Sequence, residues 1–419
     1  MKKIILILCC LLFISTAFCQ NSVTVLEQNV HGRTVKSIIR EYRYPATITC
    51  VFSSDNSSTF IYSDQTLQTR EFTIKNLKVN DMIVMLHGTD GRSDSLFFCG
   101  RDLNTGLATF GFFNINNAFN GSGPVSLHKE FLSGQEMYRV KELTRMDYFI
   151  EGENYHFVCV GTNEFNRYCI VEEVLGPPPS LGNYRAGTLQ SDKEKLFDIK
   201  RVNSIPNDYI VTSGMDSSYG RYLTLRAYDI SDIFAPSGIQ GFKHIYCIDT
   251  SFGVKWERDD VLIQNLDDGH FATVSYLHPC LYSKVVWGGV SNNYINSVHV
   301  GSFRLNSLLS LSVTGMVSST VFEPIDSINN TLTEFVRGPF RTLAFQERVQ
   351  KHPIGETSRY CEIDFNNTQD LVSARKFDTR DDVYSGMDSY NFYNNYVMSG
   401  LYDNNNSVLK YAMETFSTY

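Results

Sequence analysis

Apolar and polar positions along this chain come in short blocks, and the blocks come in pairs. From Leu96 the stretch LFFCGRDLNTGLATFGFFNI sets an apolar run against a glycine, then a polar loop, then a second apolar run. Runs of this length bounded by turn residues predict strands, and two of them around a short loop predict an antiparallel hairpin. The same plan recurs from His156 around Gly161, from Asp208 around Gly214 and from Asn394 around Gly400. Weaker copies begin at Ala46, His270 and Arg341. Helical periodicity is almost absent.

Taking Val51, Gly100, Gly161, Gly214, Ser275, Gln346 and Gly400 as phase markers, the repeat averages about 58 residues. An all-strand unit of that length is long for a solenoid turn and suits a four-stranded blade with generous loops. The pattern therefore predicts an all-β fold, a β-propeller of seven blades, with six or eight as the alternatives. In a closed ring the first and last blades meet and exchange a strand, since closure leaves no open edge. Within the strands, RYLTLRAYDI alternates as a half-buried sheet does, with Tyr222, Thr224 and Arg226 on one face and Leu223, Leu225 and Ala227 on the other. The three-proline run in LGPPPSLGNYRAGTLQSDKEK, from Leu175, predicts a rigid surface connection between the third and fourth blades. PIDSINNTLTE near Pro324 reads as a second polar connection.

Two local patterns carry no function. SGMDS occurs at Ser213 and at Ser385, but the first copy sits at its phase glycine and the second precedes its own, so the match is coincidental. SSDNSSTF, from Ser53, resembles the Asp-box turn of sialidases, with Ser57 where glycine is expected. As one degenerate copy it reads as a structural turn closed by Asp and Ser hydrogen bonds.

The chain opens MKKIILILCCLLFISTAFCQNS, where two lysines precede an apolar stretch too short to span a bilayer. This predicts a signal peptide over residues 1–19 cut before Gln20, with Ala17 and Cys19 as the small residues at the cleavage site, rather than a lipid anchor on Cys19. Residues 20–419 then form a single propeller domain that is secreted, periplasmic or displayed at the cell surface. No later segment is long and apolar enough for a transmembrane helix. The full chain has 37 basic against 45 acidic residues, a balance that argues against nucleic acid, whose phosphates need a basic surface.

Seven cysteines follow Gln20, an odd number in no CxxC spacing. Cys50, Cys99 and Cys159 fall in apolar runs, where a thiol is a small buried hydrophobe; Cys159 with Cys169 across a hairpin is the disulfide the spacing would allow. There is no HExxH, no phosphate-binding glycine loop, no GxSxG elbow and no calcium loop, so no cofactor or metal is expected. His270 and His278, the nearest histidine pair in a loop-like context, fit a structural and a ligating role equally, and the oxygen-rich DNNNS from Asp403 reads as a hairpin turn in preference to a cation site.

One feature of the repeat bears on function. The loop past each phase marker carries an ionisable side chain: Asp55, Asp102, Glu164, Asp216, His278, Glu347 and Asp403. Loops at one end of a propeller ring the channel mouth, so Asp102, Glu164, Asp216 and Asp403, two or three residues past the best-aligned glycines, are the candidate ligand-binding residues. Converging carboxylates raise one another's pKa and favour cations or hydroxyl-rich ligands over anions. Tyrosines and phenylalanines in GGVSNNYINS, SSYGRY and DSYNFYNNY are candidates for stacking on sugar rings, although most aromatics belong to sheet core.

In overall plan the chain resembles the secreted β-propeller proteins of gut Bacteroidetes. The resemblance rests on the leader ending before Gln20, the strand succession VNDMIVM, LFFCGRD and FGFFNI, and the lack of enzymatic motifs. It implies envelope-associated or secreted binding, and O-glycosylation at the triplets Asp94-Ser95-Leu96 and Asp326-Ser327-Ile328. The expected function is non-catalytic binding of a glycan, peptide or protein partner at one face of the ring. The alternative is a glycan-cleaving hydrolase using two carboxylates at the channel mouth.

Overall fold

The computed structural model describes residues 23–29, 34–42, 46–63, 69–86, 94–121, 124–133, 137–176, 183–189, 192–203, 208–216, 222–229 and 233, and beyond these the strands between Lys243 and Thr415. Side-chain detail belongs to residues between Ile38 and Ile233. The leader, the tip of the DNNNS turn including Asp403, and the loop residues of the three aromatic stretches lie outside the described residues.

The first strand is β1 (Val23–Asn29), whose partner comes last. A first sheet then runs β2 (Thr34–Glu41), β3 (Thr47–Ser53), β4 (Ser57–Ser63) and β5 (Thr69–Lys75). The second is β6 (Leu77–Met85), β7 (Ser95–Asp102), β8 (Leu107–Asn114) and β9 (Ser126–Lys129), with a short helix α1 (Ile115–Phe119) between its last two strands. The third adds a two-residue edge strand, β10 (Leu132–Ser133), to β11 (Tyr138–Glu151), β12 (Asn154–Asn163), β13 (Tyr168–Leu175) and β14 (Asn183–Thr188). The fourth is β15 (Glu194–Asn203), β16 (Asp208–Asp216), β17 (Tyr222–Asp229) and β18 (Lys243–Tyr246). The fifth is β19 (Ala272–Leu277), β20 (Lys284–Ser291), β21 (Ser297–Arg304) and β22 (Met316–Phe322). The sixth is β23 (Ser327–Leu332), β24 (Val336–Arg337), β25 (Thr342–Lys351), β26 (Glu356–Phe365) and β27 (Leu371–Asp378), in which β23 and β24 both pair with β25. The last is β28 (Val383–Tyr390), β29 (Asn395–Tyr402) and β30 (Val408–Thr415), and β1 completes it.

These seven sheets pack in chain order, each against the next, and β28 and β29 return to pack on β2. The ring closes through β1, which pairs antiparallel with β30 from Val23 opposite Glu414 to Asn29 opposite Val408. The expected strand exchange between the two ends of the chain is thus present.

The repeat glycines have a backbone cause. In β6, β11, β15 and β28 the ladder slips by one residue just past the glycine of the second strand: Val79 faces Gly100 and Asp81 faces Cys99, and Leu143, Leu196 and Tyr384 face Gly161, Gly214 and Gly400 in the same way. Each slip is a bulge, which bends the first strand and pushes a carbonyl toward its partner. A Cβ on Gly100 would lie 1.9 Å from the Lys78 carbonyl oxygen, one on Gly161 2.6 Å from that of Glu142, and one on Gly214 2.0 Å from that of Lys195. Only glycine admits that approach.

The core lies between sheets. Leu96 and Phe98 pack toward the first sheet with Ile48, Cys50 and Phe60, whereas Phe97 and Cys99 pack toward the third with Phe157, Cys159 and Val171. Both faces of β7 are buried, which is why its sequence is a continuous apolar run instead of an alternation. Phe97 stacks on Phe157 with centroids 4.4 Å apart, and burying one such ring is worth roughly 1.5–3 kcal/mol.

Several sequence expectations need correction. The proline-rich segment after Leu175 leads from β13 to β14 within one sheet, not from blade to blade, and PIDSINNTLTE contains β23. Arg226 is not on a solvent face: it is 1% exposed and ion-paired to Glu194, and Tyr228 beside it is buried. Of the weak repeats, Val51 and Gln346 lie on second strands, β3 and β25, as the pattern requires, but Ser275 lies on β19, a first strand, and Glu347 lies mid-strand on β25 opposite Arg359 instead of in a loop. His278 falls between β19 and β20 in the sequence and lies outside the described residues. Ser95 and Asp94 are buried, and the Tyr42 hydroxyl donates to Asp94 at 3.0 Å, so that triplet is not a surface acceptor in the fold. Cys159 and Cys169 are free thiols, buried as are Cys50 and Cys99. Burial pushes the Cys169 thiol up to about 12. The two SGMDS copies lie on β16 and β28, a second and a first strand, as a coincidental match requires.

Candidate ligand-binding face

The turns joining second to third strands share one end of the ring, because every sheet repeats the same antiparallel order. Three of them are described with side chains. In the first sheet Asp55 accepts hydrogen bonds from the Ser57 backbone N–H (3.2 Å) and hydroxyl (2.6 Å), with Asn56 at φ 64°, so the Asp-box-like stretch is a self-closed turn.

In the second sheet Asp102 ends β7 and is buried. Its Oδ1 accepts from the N–H groups of Asn104 (2.8 Å) and Thr105 (3.3 Å), and its Oδ2 is ion-paired to the Lys129 ammonium of β9. Burial pushes the carboxyl up, but Lys129 and the two N–H donors outweigh it and hold Asp102 below the usual carboxylate range. This carboxylate is spent within its own blade.

In the third sheet Asn163 occupies the corresponding strand end. Fully buried, it accepts at Oδ1 from the N–H groups of Phe165 and Arg167, both at 3.0 Å, while its own N–H donates to the Arg167 carbonyl. Glu164 is therefore one residue further out than Asp102, on the exposed tip. One of its carboxylate oxygens accepts from the Arg139 backbone N–H at 3.0 Å, and its carbonyl accepts from the Lys141 ammonium at 2.9 Å. Asp216 ends β16 opposite Glu194 and Tyr222, in the position of Asp102. Of the four sequence candidates, Asp102, Glu164 and Asp216 thus share an end of the ring but not one structural position, and Asp403 lies outside the described residues.

The same turn lifts apolar surface that sequence reasoning missed. Phe165 is 57% exposed and sits edge-to-face on Tyr138 with centroids 4.5 Å apart; Met137, at φ 56° just before β11, is also 57% exposed. Around this platform, Arg139 and Arg167 have no carboxylate partner among the described residues, nor does Arg101 at the end of β7. Only the adjacency of Phe165 to Glu164 in a loop could have signalled the platform in advance.

On the inner strands a second cluster ties three sheets together. Asp81, placed by the β6 bulge, accepts from the Arg40 guanidinium at 2.7 Å, from the Met82 N–H at 2.8 Å and from the Met146 N–H at 3.0 Å, with Arg145 at 3.6 Å. Arg40 also donates to the Met82 carbonyl at 2.8 Å. On β13, Glu172 and Glu173 point to opposite faces; Glu172 meets His156 (2.9 Å) and Arg185, and Glu173 meets His128 (2.9 Å). Among the described residues no group of His, Cys, Asp and Glu has a metal-holding arrangement.

No protein-family model matches the sequence, and a comparison with curated proteins finds no match. Solved structures are similar in fold. The extracellular domains 1–2 of Drosophila semaphorin 1a align over 93% of this chain and 87% of that one, at 7% identity and a TM-score of 0.52. The chain is a β-propeller. An α-L-arabinofuranosidase from Fusarium graminearum aligns over 84% of this propeller and 94% of its own chain (8% identity, TM-score 0.45). A member of the DUF4221 family from Bacteroides vulgatus aligns over 96% and 100% (8% identity, TM-score 0.42). At such identities the likeness concerns fold alone.

Proposed function

We propose that this propeller is a non-catalytic binding protein whose ligand, a glycan, peptide or protein, docks at the end of the ring formed by the second-to-third-strand turns. The observation behind this reading is the exposed Met137–Tyr138–Phe165 platform on that end. Exposed apolar surface rimmed by polar groups is costly to keep in water and marks contact sites. The hydrolase alternative needs a carboxyl left available as a proton donor beside a second carboxylate. Among the described residues, the six buried carboxylates, Asp81, Asp94, Asp102, Glu172, Glu173 and Asp198, each have a hydrogen-bonding partner in a neighbouring side chain or backbone N–H. Asp81, Asp102, Glu172 and Glu173 tie strands together.

The proposal includes export, with the mature chain beginning at Gln20, and kinship with the secreted propellers of gut Bacteroidetes. N-terminal sequencing and intact-mass measurement of exported protein test the cut; a diacylglycerol adduct on Cys19 would replace it by a lipid anchor. Binding is tested by screening the purified protein against glycan and peptide arrays. Double substitution of Met137→Ala and Phe165→Ala should abolish the hits without moving the melting temperature. Steady release of sugar fragments from a bound glycan would overturn the non-catalytic reading, and unchanged binding by the double variant would overturn the location.

A further inference from the structure

The charges around the platform narrow the ligand class. Arg139 is exposed, Arg167 half-buried, and among the described residues neither guanidinium meets a carboxylate. Lys141 is held by a backbone carbonyl and has no carboxylate partner among the described residues. Across the sheet interface, Arg101 has its Nε buried without a hydrogen-bond partner, and it lies in register with Lys78, whose ammonium reaches Glu142 of β11 at 3.2 Å. The carboxylates of this region are committed elsewhere: Asp102 to Lys129, Glu142 to Lys78 and Asn80, and Glu164 in part to a backbone N–H. Among the described residues, two arginines and a lysine thus sit on the strand and turn that carry the exposed Phe165 ring, with the remaining oxygen of Glu164 as a counter-charge.

We infer that the ligand of this face is an anionic polysaccharide, one bearing carboxylate or sulfate groups on its sugar rings. The inference rests on the binding reading above and adds the sign of the ligand, opposite to that expected from a ring of free carboxylates. Guanidinium groups take carboxylate and sulfate oxygens through paired N–H donors, and they lose less hydration than an ammonium when they do so. The face of Phe165 supplies a flat apolar surface for the C–H side of a sugar ring, and its edge-to-face contact with Tyr138 holds it in place before the ligand arrives. An acidic peptide fits less well. The commonest way for a sheet to take an extended peptide is to add it as a strand, and the free edge of β11 at this end is already paired with β10, Leu132 opposite Arg139 and Ser133 opposite Tyr138.

The test is calorimetric titration of the full mature protein with polygalacturonate and chondroitin sulfate, with neutral xyloglucan, and with poly-glutamate as the peptide control. One or both anionic polysaccharides should bind, and affinity should fall about tenfold or more between roughly 50 mM and 500 mM salt, as screened ion pairs require. Arg139→Ala combined with Arg167→Ala should lower that affinity about tenfold at an unchanged melting temperature. Phe165→Ala should lower it without altering the salt dependence. Salt-insensitive binding of xyloglucan that Phe165→Ala abolishes would keep the site and overturn its charge preference. Poly-glutamate binding as tightly as the polysaccharides would overturn the sugar and leave an acidic protein partner. Failure of every probe would overturn the anionic-polysaccharide inference, and array hits lost on Phe165→Ala would then still uphold the face itself.

Discussion

The turns after Asp102 and after Asn163 occupy the same place in adjacent blades and are closed by the same hydrogen bonds, a side-chain oxygen accepting from N–H groups two to four residues on. They differ by one charge. Asp102 carries an anion into a buried strand end, so Lys129 must follow it there, and that blade's turn is electrostatically closed. Asn163 closes its turn while neutral, and no cation is consumed. The basic residues of the third sheet remain available at the surface, next to an exposed ring. A single carboxylate-to-amide difference between repeats is enough to separate a structural turn from a candidate ligand site.

The largest effect should come from the bulges on which both turns depend. Gly100→Ala drives a methyl into the Lys78 carbonyl at 1.9 Å, whereas Gly161→Ala meets that of Glu142 at 2.6 Å. Chemical denaturation should show a loss of about 3 kcal/mol or more for the first and about 1–2 kcal/mol for the second. Equal costs would mean that the strands relax freely and that the glycines are not required by contact.

Exchanging the caps tests the comparison directly. Asn163→Asp places a carboxylate in a fully buried site with no assigned cation and should cost about 2 kcal/mol at neutral pH, with stability recovering as acid protonates it. If the cost is negligible, Arg139, Lys141 or Arg167 reaches the turn, and the picture of unspent cations fails. Asp102→Asn keeps the turn bonds but leaves Lys129 alone, a loss of about 1 kcal/mol because that ammonium is partly solvated.

The pH dependence has the opposite sign for the native acid. Because Asp102 is held below the usual range, its contribution is fully present above the unfolded-state value, roughly 4, and disappears as pH falls through its lower folded value. The gap between wild type and Asp102→Asn should therefore be constant at neutral pH and close in acid. A gap that widens in acid would show that the Lys129 pair does not set this titration. The smallest effect belongs to Phe165→Ala, within about 0.5 kcal/mol by thermal denaturation, since the ring is mostly solvated.

Much of the architecture was legible because in four sheets a first-strand bulge faces a glycine of the second strand, and Gly100, Gly161, Gly214 and Gly400 therefore recur in the sequence itself. At one marker that is not glycine the phase slipped by a strand. Ser275 was aligned with second strands although β19 is a first strand, since any antiparallel hairpin reads alike locally whichever pair of strands it joins. The site was half legible. Glu164 lies on the candidate face, but grouping it with Asp102 overlooked that Asn163 does the work of Asp102, as amide and carboxylate close such turns equally well.

By itself the sequence determined an all-strand chain, its repeat, its strand-exchanged closure and the end of the ring where the second-to-third-strand turns gather. These follow from local rules: strand and turn propensity, and the exclusion of Cβ at a bulge. Only the tertiary structure decided which charges are spent. Arg226 and Asp81 are indistinguishable from surface residues in the linear pattern, yet the fold buries each beside an opposite charge, Glu194 two strands away in the same sheet for Arg226 and Arg40 of the neighbouring sheet for Asp81. Arg139 and Arg167 look no different from them and, among the described residues, are left without a carboxylate. Ion pairing depends on distances between strands that are remote in sequence, so the sign and place of the exposed surface emerge only when the sheets are assembled.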